Sequence, residues 1–466
     1  MAYQRIRDPL HDLIEFSNSE LERTLWKVVQ TGPFQRLRRV KQLGFSDLVY
    51  PGATHSRFAH SLGVFHTARQ LMEVIRRQVS NPSDSKERGA LAAALVHDLG
   101  HGPFSHAFED VGRRLGLKLA DHEHMSDALI RSGEVAEALN EMGTGFANDV
   151  ADIIQKDGIK TVQHAVVSSQ FDADRLDYMR RDRLMSGTKH SAIDFSWLIA
   201  NLEIGKVGVG VDDTPVGEIE TLVLGPKAVH AAEAYVLGLF QLYPTVYFHK
   251  ATRGAEKIFA EMLVRVVQLI MNGSVARTGL PKNHPLVHFA RSPESIAAAL
   301  MLDDAVVWGA LSQIADAPDQ VVASLAKQLR DRVLFKCNDI RVRVAGALDP
   351  KSQNSDEIVE KIDRCCVAIH TRLTDWAAEH TTERPRVLLD RAERPPYKPV
   401  GRSKGPLDRI NIRTDGGHLV DLRERSSVVA ALKDYKLLRA YVDRTDSEAA
   451  SVVDSIVDGE VEKCRM

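Results

Sequence analysis

Residues 97–106, HDLGHGPFSH, concentrate the chemistry of this chain. A His-Asp pair ends the apolar run LAAALV (91–96), and two more histidines follow across a Gly-Pro break. A carboxylate at the end of a buried helix is expensive to desolvate unless something positive stands beside it. A divalent metal is such a partner, because neutral imidazole and carboxylate are both good ligands for it. The histidines also cluster: 8 of the 18 (His55, His60, His66, His97, His101, His106, His122, His124) fall within residues 55–124. An even spread would put about 3 there by simple proportion. A polar catalytic cleft accounts for the excess, since His is the commonest metal ligand and the usual acid–base group near neutral pH.

Helices must position most of these residues. Asn18 or Ser19 caps a helix over 18–30, and PFQRLRRVKQL (33–43) reads as a basic helix that opens on proline. Ser56 caps RFAHSLGVFHTARQLMEVIRR, which ends near Asn81-Pro82. A helix over 87–99 carries His97 and Asp98, and two more cover 120–140 and 162–185. In the last of these Asp174, Tyr178 and Asp182 lie at i, i+4 and i+8, one stripe of a helix, with Arg175, Arg180, Arg181 and Arg183 around them. Residues 203–224 alternate and contain the turn cluster Asp212-Asp213-Thr214-Pro215, a β-hairpin inserted among helices. Helical patterns resume at 226–242, 244–272, 294–314 and 317–332. Beyond residue 340 the composition changes. A proline-rich loop spans 383–408, a second hairpin joins INIRT (410–414) to HLVDL (418–422), and a closing helix covers 426–434.

Four residues from three segments, His60, His97, Asp98 and Asp174, form the candidate metal set. Their H…HD…D order resembles the HD superfamily of metal-dependent phosphohydrolases. Two imidazoles and two carboxylates leave positions open for water and substrate oxygens. Mixed N/O ligation suits Mn, Fe, Co, Ni or Zn better than Ca. The resemblance narrows further. PGATHSRFAHSLGV (51–64), LVHDLGHGPFSHAFE (95–109), HEHMS (122–126), DADRLDYMRRD (172–182), YFHK (247–250) and RDPLHD (7–12) are similar to the deoxynucleoside triphosphate triphosphohydrolases related to the SAM-and-HD-domain dNTPase. The match is dense over 1–260 and thins to RVLFK (332–336); no sterile alpha motif precedes the HD region.

That resemblance implies a mainly α fold: an HD-domain helical bundle over 1–336, with its catalytic core about 50–260 and a small inserted β-hairpin. A mixed α/β region over 337–466 would supply oligomer contacts. It implies hydrolysis of deoxynucleoside triphosphates to deoxynucleoside and triphosphate, by attack of metal-activated water at the α-phosphorus, with Mg on the phosphates. Arg57 and Arg175 would hold phosphate oxygens. His101 and His122 would stand near the leaving oxygen, His122 as general acid, with His106 and Glu109 as the relay that orients them. Tyr178 would exclude a ribose 2′-hydroxyl, Asp182 would read the 3′-hydroxyl, Gln42 and Leu43 would pack on the sugar, and Tyr247 would lie under the base. A homo-oligomer, dimer or tetramer, is implied, with an effector nucleotide at an interface near Arg38.

Two positions depart from the family pattern. Leu239 stands where an arginine grips the terminal phosphates, with Lys250 and Arg253 as the basic residues that could compensate, and Gln30 stands where an acid reads a guanine activator. Two alternatives therefore stand beside the first reading. One is another HD phosphohydrolase, a nucleoside monophosphate phosphatase or a nuclease. The other is a nucleotide-sensing or nucleic-acid-binding module, which would use the basic helix 33–43 on single strands.

The bulk numbers are those of an ordinary globular protein. The 466 residues exceed the size of a single core, so two structural units are expected. Lys and Arg number 61 against 63 Asp and Glu, a net charge of −2, which argues against a nucleic-acid coat or a membrane-surface protein. No apolar run reaches the length of a membrane span. The four cysteines (Cys337, Cys365, Cys366, Cys464) have no paired metal spacing and suit a reducing cytosol, so a cytoplasmic location is expected.

Overall fold

A computed structural model describes residues 3–80, 83–155, 161–211, 214–351, 355–381, 385–395, 397 and 409–465. The Asn81-Pro82 stop, Asp212 and Asp213 of the hairpin turn, and Pro396, Pro399 and Pro406 lie outside the described residues. The fold is mainly α with small sheets. Two compact units interleave along the chain, whereas the sequence suggested a single cut at 336. One contains 1–247, 292–307 and 395–433, and the other 248–291, 308–394 and 434–466. Among the described residues no helix is long and apolar enough to cross a membrane.

The first unit opens with an antiparallel hairpin, Gln4–Asp8 paired to Asp12–Phe16. Its central helix, Arg57–Gln78, is buried on nearly every side from Arg57 to Ala68, and Ser56 caps it by accepting from the Ala59 N–H. The helix Asp84–Val96 is buried from Gly89 to Val96; its four alanines let neighbours pack close. His97 and Asp98 fall in the turn just past it rather than within it. The helix Ala173–Ser186 starts at Asp172, whose carboxylate accepts from the Arg175 N–H at 2.8 Å, and stops at Gly187 with φ 72°. A four-stranded sheet joins the hairpin Leu202–Val211/Thr214–Leu224 to Asn411–Arg413 and Leu419–Asp421; the second hairpin stands where the sequence placed it.

Several expected helices are shorter or divided, three of them near the histidine cluster. The basic segment is helical only over Gly32–Arg36, followed by a 3-10 turn at Leu37–Arg39, and Lys41 then pairs with Ser56. Arg36 is the cause. Its buried guanidinium donates to the carbonyls of Leu99 at 3.1 Å, His101 at 2.8 Å and Leu302 at 2.8 Å, tertiary bonds that outweigh helix propensity. The span 120–140 divides into His122–Arg131 and Gly133–Leu139 at an extended Ser132 and at Gly133 with φ 70°. The span 162–185 divides into Val162–Ala165 and Ala173–Ser186, because Asp172 restarts the helix.

The second unit holds an antiparallel sheet with Tyr435–Val442 at its centre, flanked by Lys336–Asp339 and Val387–Arg394. The segment 383–408 is thus not all loop. Val387, Leu388 and Asp390 are buried in a strand that the surrounding prolines obscured in sequence. The helix expected over 426–434, which belongs to the first unit, is only Ser427–Ala431. Helices Asp356–Glu379 and Ser447–Arg465 pack on this sheet around Ile362, Cys365, Ile369, Leu438, Val453 and Val457. All four cysteines are free thiols.

Candidate functional site

Three elements converge on one point. His60 comes from the buried central helix, His97 and Asp98 from the turn after Val96, and Asp174 from the first turn of the helix Ala173–Ser186. His60 Nε2 lies 3.0 Å from Asp174 Oδ1 and 3.8 Å from Asp98 Oδ2. His97 Nε2 lies 3.4 Å from Asp98 Oδ1 and 3.6 Å from Asp174 Oδ1. The structure therefore brings all four candidate ligands together.

The tautomers suit a cation. His97 Nδ1 is tied to the Ala94 carbonyl at 3.0 Å and His60 Nδ1 to Asp177 at 2.8 Å, so in the neutral rings both Nε2 lone pairs face the carboxylates. His97 Nε2 is buried without a hydrogen-bond partner. A neutral His60 ring would set a lone pair against a carboxylate oxygen at 3.0 Å, an arrangement that needs a positive charge between them. Burial lowers the pKa of His60, but Asp174 and Asp177 outweigh it and push it up to about 10. A proton and a divalent cation compete for that one position. The residues fit a metal.

A second cluster adjoins the first through Asp98. His101 Nε2 is 3.3 Å from Asp98 Oδ1, and its ring stacks on that of His122 with centroids 4.0 Å apart and planes 9° apart. Glu109 gathers the other nitrogens: His122 Nδ1 at 2.6 Å, His106 Nδ1 at 3.0 Å and His101 Nδ1 at 3.7 Å. His101, Glu109 and His122 also have donor atoms close enough together to hold an ion. In this cluster, however, the carboxylate already carries two imidazole hydrogen bonds, which is the pattern of a proton relay. Burial and the nearby Arg57 hold His101 well below the usual imidazole range. Burial also opposes charge on His122, but Glu109 outweighs it and raises its pKa. Of the two stacked rings, His122 is thus the one that keeps a proton to higher pH. His106 is exposed and touches the cluster only through Glu109 and ring edges.

The loop beneath these rings is strained and clamped. Phe104 and Ser105 sit at φ 54° and 51°, a backbone region unfavourable for both. Asp304 Oδ1 accepts from the Phe104 N–H at 2.7 Å, and Ser105 Oγ from Arg57 Nε at 2.9 Å. Arg57 also pairs with Asp98. Gly100 is pressed against the helix His122–Arg131: a Cβ there would lie 2.3 Å from the Ser126 nitrogen and 2.4 Å from the His122 carbonyl oxygen. Backbone atoms cannot step aside. Gly100→Ala should therefore part the His101 turn from His122, with a loss of about 1–3 kcal/mol in stability, read as a fall in Tm, and a fall in kcat.

The remaining substrate candidates form a wall below Asp174. Tyr178 and Tyr247 meet edge-on with centroids 6.2 Å apart, and Tyr247 Oη donates to Asp182 Oδ2 at 2.9 Å. His55 Nε2 holds the other Asp182 oxygen at 2.8 Å. Burial raises both phenols well above their ordinary pKa, so they stay protonated donors. The Gln42 N–H bonds the His55 carbonyl at 3.0 Å, its Oε1 is buried and unpartnered, and Leu43 follows it, half-buried. Arg175 is held by Asp172 and by the Ser169 carbonyl at 2.7 Å, so reaching a phosphate requires it to leave them. Arg38 lies over the Phe58 ring at 3.6 Å and bonds Gln35. Leu239 is buried, and Arg253 is committed to Asp390 and Glu256.

Residues 57–179 match the HD domain, and residues 216–283 match an HD associated region. The uncharacterized protein YwfO of Bacillus subtilis is 33% identical over 334 residues, covering 71% of this chain and 70% of YwfO. The chain belongs to the HD superfamily of metal-dependent phosphohydrolases. The deoxynucleoside triphosphate triphosphohydrolase SAMHD1 homolog of Dictyostelium discoideum is 29% identical over 276 residues, 57% of this chain and 50% of that protein; the match therefore spans about half of that relative. A phosphohydrolase from Bacteroides thetaiotaomicron, BT4208, has the same fold with a TM-score of 0.70 and 26% identity, over 95% of this chain and 100% of that one.

Sequence reasoning missed several residues of this HD site. Asp177 supports His60 from behind, and His55 holds Asp182, although His55 had been counted only as one of a cluster. Asp304 and Arg36 pin the HDLGHGPFSH loop from distant segments. For Asp177 a signal existed, since it stands three residues after Asp174 on the same helix. For Arg36 and Asp304 there was none.

Proposed function

We propose that this HD phosphohydrolase cleaves deoxynucleoside triphosphates into deoxynucleoside and triphosphate. The observation that carries the reading is the helix Ala173–Ser186, which presents a cradle carboxylate, Asp174, and, on successive turns below it, Tyr178 and Asp182. A phosphate at the cradle would thus have its sugar against a phenol and a carboxylate. The name of the Dictyostelium relative supports the same substrate class.

His60, His97, Asp98 and Asp174 would hold a divalent transition metal (Mn, Fe, Co, Ni or Zn), which when bound lowers the pKa of water and polarises phosphoryl oxygens. The chain's own residues do the rest. His122, protonated through Glu109, donates to the departing 5′-oxygen. His101, kept neutral, keeps that proton on its stacked neighbour. Arg57 braces Asp98 and lies beside the phosphate position. His55 and Tyr247 orient Asp182 so that its carboxylate accepts from a 3′-hydroxyl, while Tyr178 fills the space a 2′-hydroxyl would need.

The test is a panel of dNTPs, rNTPs and nucleoside monophosphates incubated with each metal and resolved by chromatography. Triphosphate plus deoxynucleoside is the expected product pair. Orthophosphate released from deoxynucleoside monophosphates alone would replace this reading with a monophosphatase, which the buried Leu239 in place of an arginine favours. Tyr178→Ala should raise kcat/KM for ribonucleotides by about 10- to 100-fold relative to deoxynucleotides, the scale of a small steric discrimination. Unchanged sugar preference removes the steric role.

A further inference from the structure

Behind His60 lies a cluster of charge that the proposed reaction does not use. Asp177 is fully buried, and four N–H groups converge on its carboxylate: His60 Nδ1 at 2.8 Å and Arg181 Nε at 2.7 Å on Oδ2, His11 Nε2 at 2.7 Å and Arg181 Nη2 at 3.0 Å on Oδ1. Arg181, also fully buried, donates onward to Asp8 at 2.8 Å. Asp8 in turn accepts from the Leu10 and His11 N–H groups at 2.9 and 3.0 Å, closing the turn of the N-terminal hairpin. The backbone makes room for the cluster at Gly63, where a Cβ would lie 2.1 Å from Asp177 Oδ1.

Removing two carboxylates and a guanidinium from water is costly, and their mutual bonds repay that cost only if the geometry is kept. The cost is met where it serves the candidate ligand. A carboxylate on Nδ1 fixes the imidazole tautomer and ring orientation, leaves Nε2 as the donor atom and makes it more basic.

We propose that Asp177 is a positioning residue for the metal centre, held in place by His11, Arg181 and Asp8, so that the N-terminal hairpin is a structural part of the site. The inference rests on the reading of His60 as a metal ligand. It assigns no contact with substrate to Asp177.

Asp177→Asn tests it. The amide keeps the shape but has one acceptor oxygen, so it sets an N–H against one of the donors and loosens the clamp on His60. Wild type and variant are stripped with EDTA and titrated with Co²⁺, followed by calorimetry and visible absorption, with thermal melting of the EDTA-treated chains as a check on folding. Co²⁺ should bind the variant about 10- to 100-fold more weakly, the usual effect of losing such an outer partner, with an altered visible spectrum. Affinity within twofold of wild type in a folded Asp177→Asn chain overturns the inference alone. A wild-type chain that takes up no Co²⁺ overturns the metal reading and this inference with it. If Asp177→Asn does not fold, His11→Gln, which removes one of the direct partners of Asp177 and leaves its carboxylate in place, decides instead: several-fold weaker Co²⁺ binding supports the role, and unchanged affinity overturns it.

Discussion

Asp174→Ala should strip the cation from this protein and take turnover with it. Asp174 Oδ1 faces both imidazoles, 3.0 Å from His60 Nε2 and 3.6 Å from His97 Nε2, so its loss removes the anion that the two rings share. Burial alone would raise the Asp174 pKa, yet His60 and His97 hold it below the usual carboxylate range, so the group is charged at any working pH. Because the ligands act as one unit, the loss should be on the order of 10³-fold or more in kcat rather than a graded decline. Metal content by plasma emission and turnover should fall together. The fold should survive, because Asp174 is partly exposed and its neighbour Asp172 supplies the helix cap. A variant that keeps one metal per chain would remove Asp174 from the ligand set.

His122→Ala should separate the two clusters. The ring lies on Glu109 and against His101, and its nitrogens make no bond to the cradle carboxylates, so metal content should stay at the wild-type level. Turnover should fall by about 10²- to 10⁴-fold, the scale of a lost general acid. The pH profile carries the sign. The pKa of His122 is raised, with burial opposing and Glu109 prevailing, so the acid form persists above the ordinary imidazole range. The alkaline limb of the wild-type profile should lie above that of an ordinary imidazole, the rate falling as pH passes that raised value. Glu109→Gln removes the carboxylate that raises it, so the alkaline limb should move to lower pH. A limb that does not move with Glu109→Gln would break the link between the two residues.

The legible parts of this chain were those whose signal is local. The Ser56 cap, the long helix after it and the alternating strands of 203–224 each lie within one short window, and the structure forms them. The histidine density and the H…HD…D order likewise named the residues that meet at one point. The unreadable parts depended on distant partners. The segment 33–43 has a helical pattern, but Arg36 finds three carbonyls near residues 100 and 302, and the helix stops. Val387–Arg394 became a strand only by pairing with Tyr435–Val442, a segment that follows it at some distance along the chain. Asp177 stands three residues after Asp174, a local hint, but what it holds depends on His11, which stands 166 residues away.

Residue types and spacing alone determined a helical protein with imidazoles and carboxylates gathered to hold a cation, because ligand identity and capping are written in short windows of chain; phosphoester chemistry entered through the resemblance to the HD family. Tertiary structure alone decided which nitrogen of each ring faces the metal position, which of the two stacked histidines holds its proton to higher pH, and which buried charges hold the ligands still. Those properties follow from distances of a few ångströms between segments far apart in sequence, where burial and neighbouring charge set the balance between proton and cation.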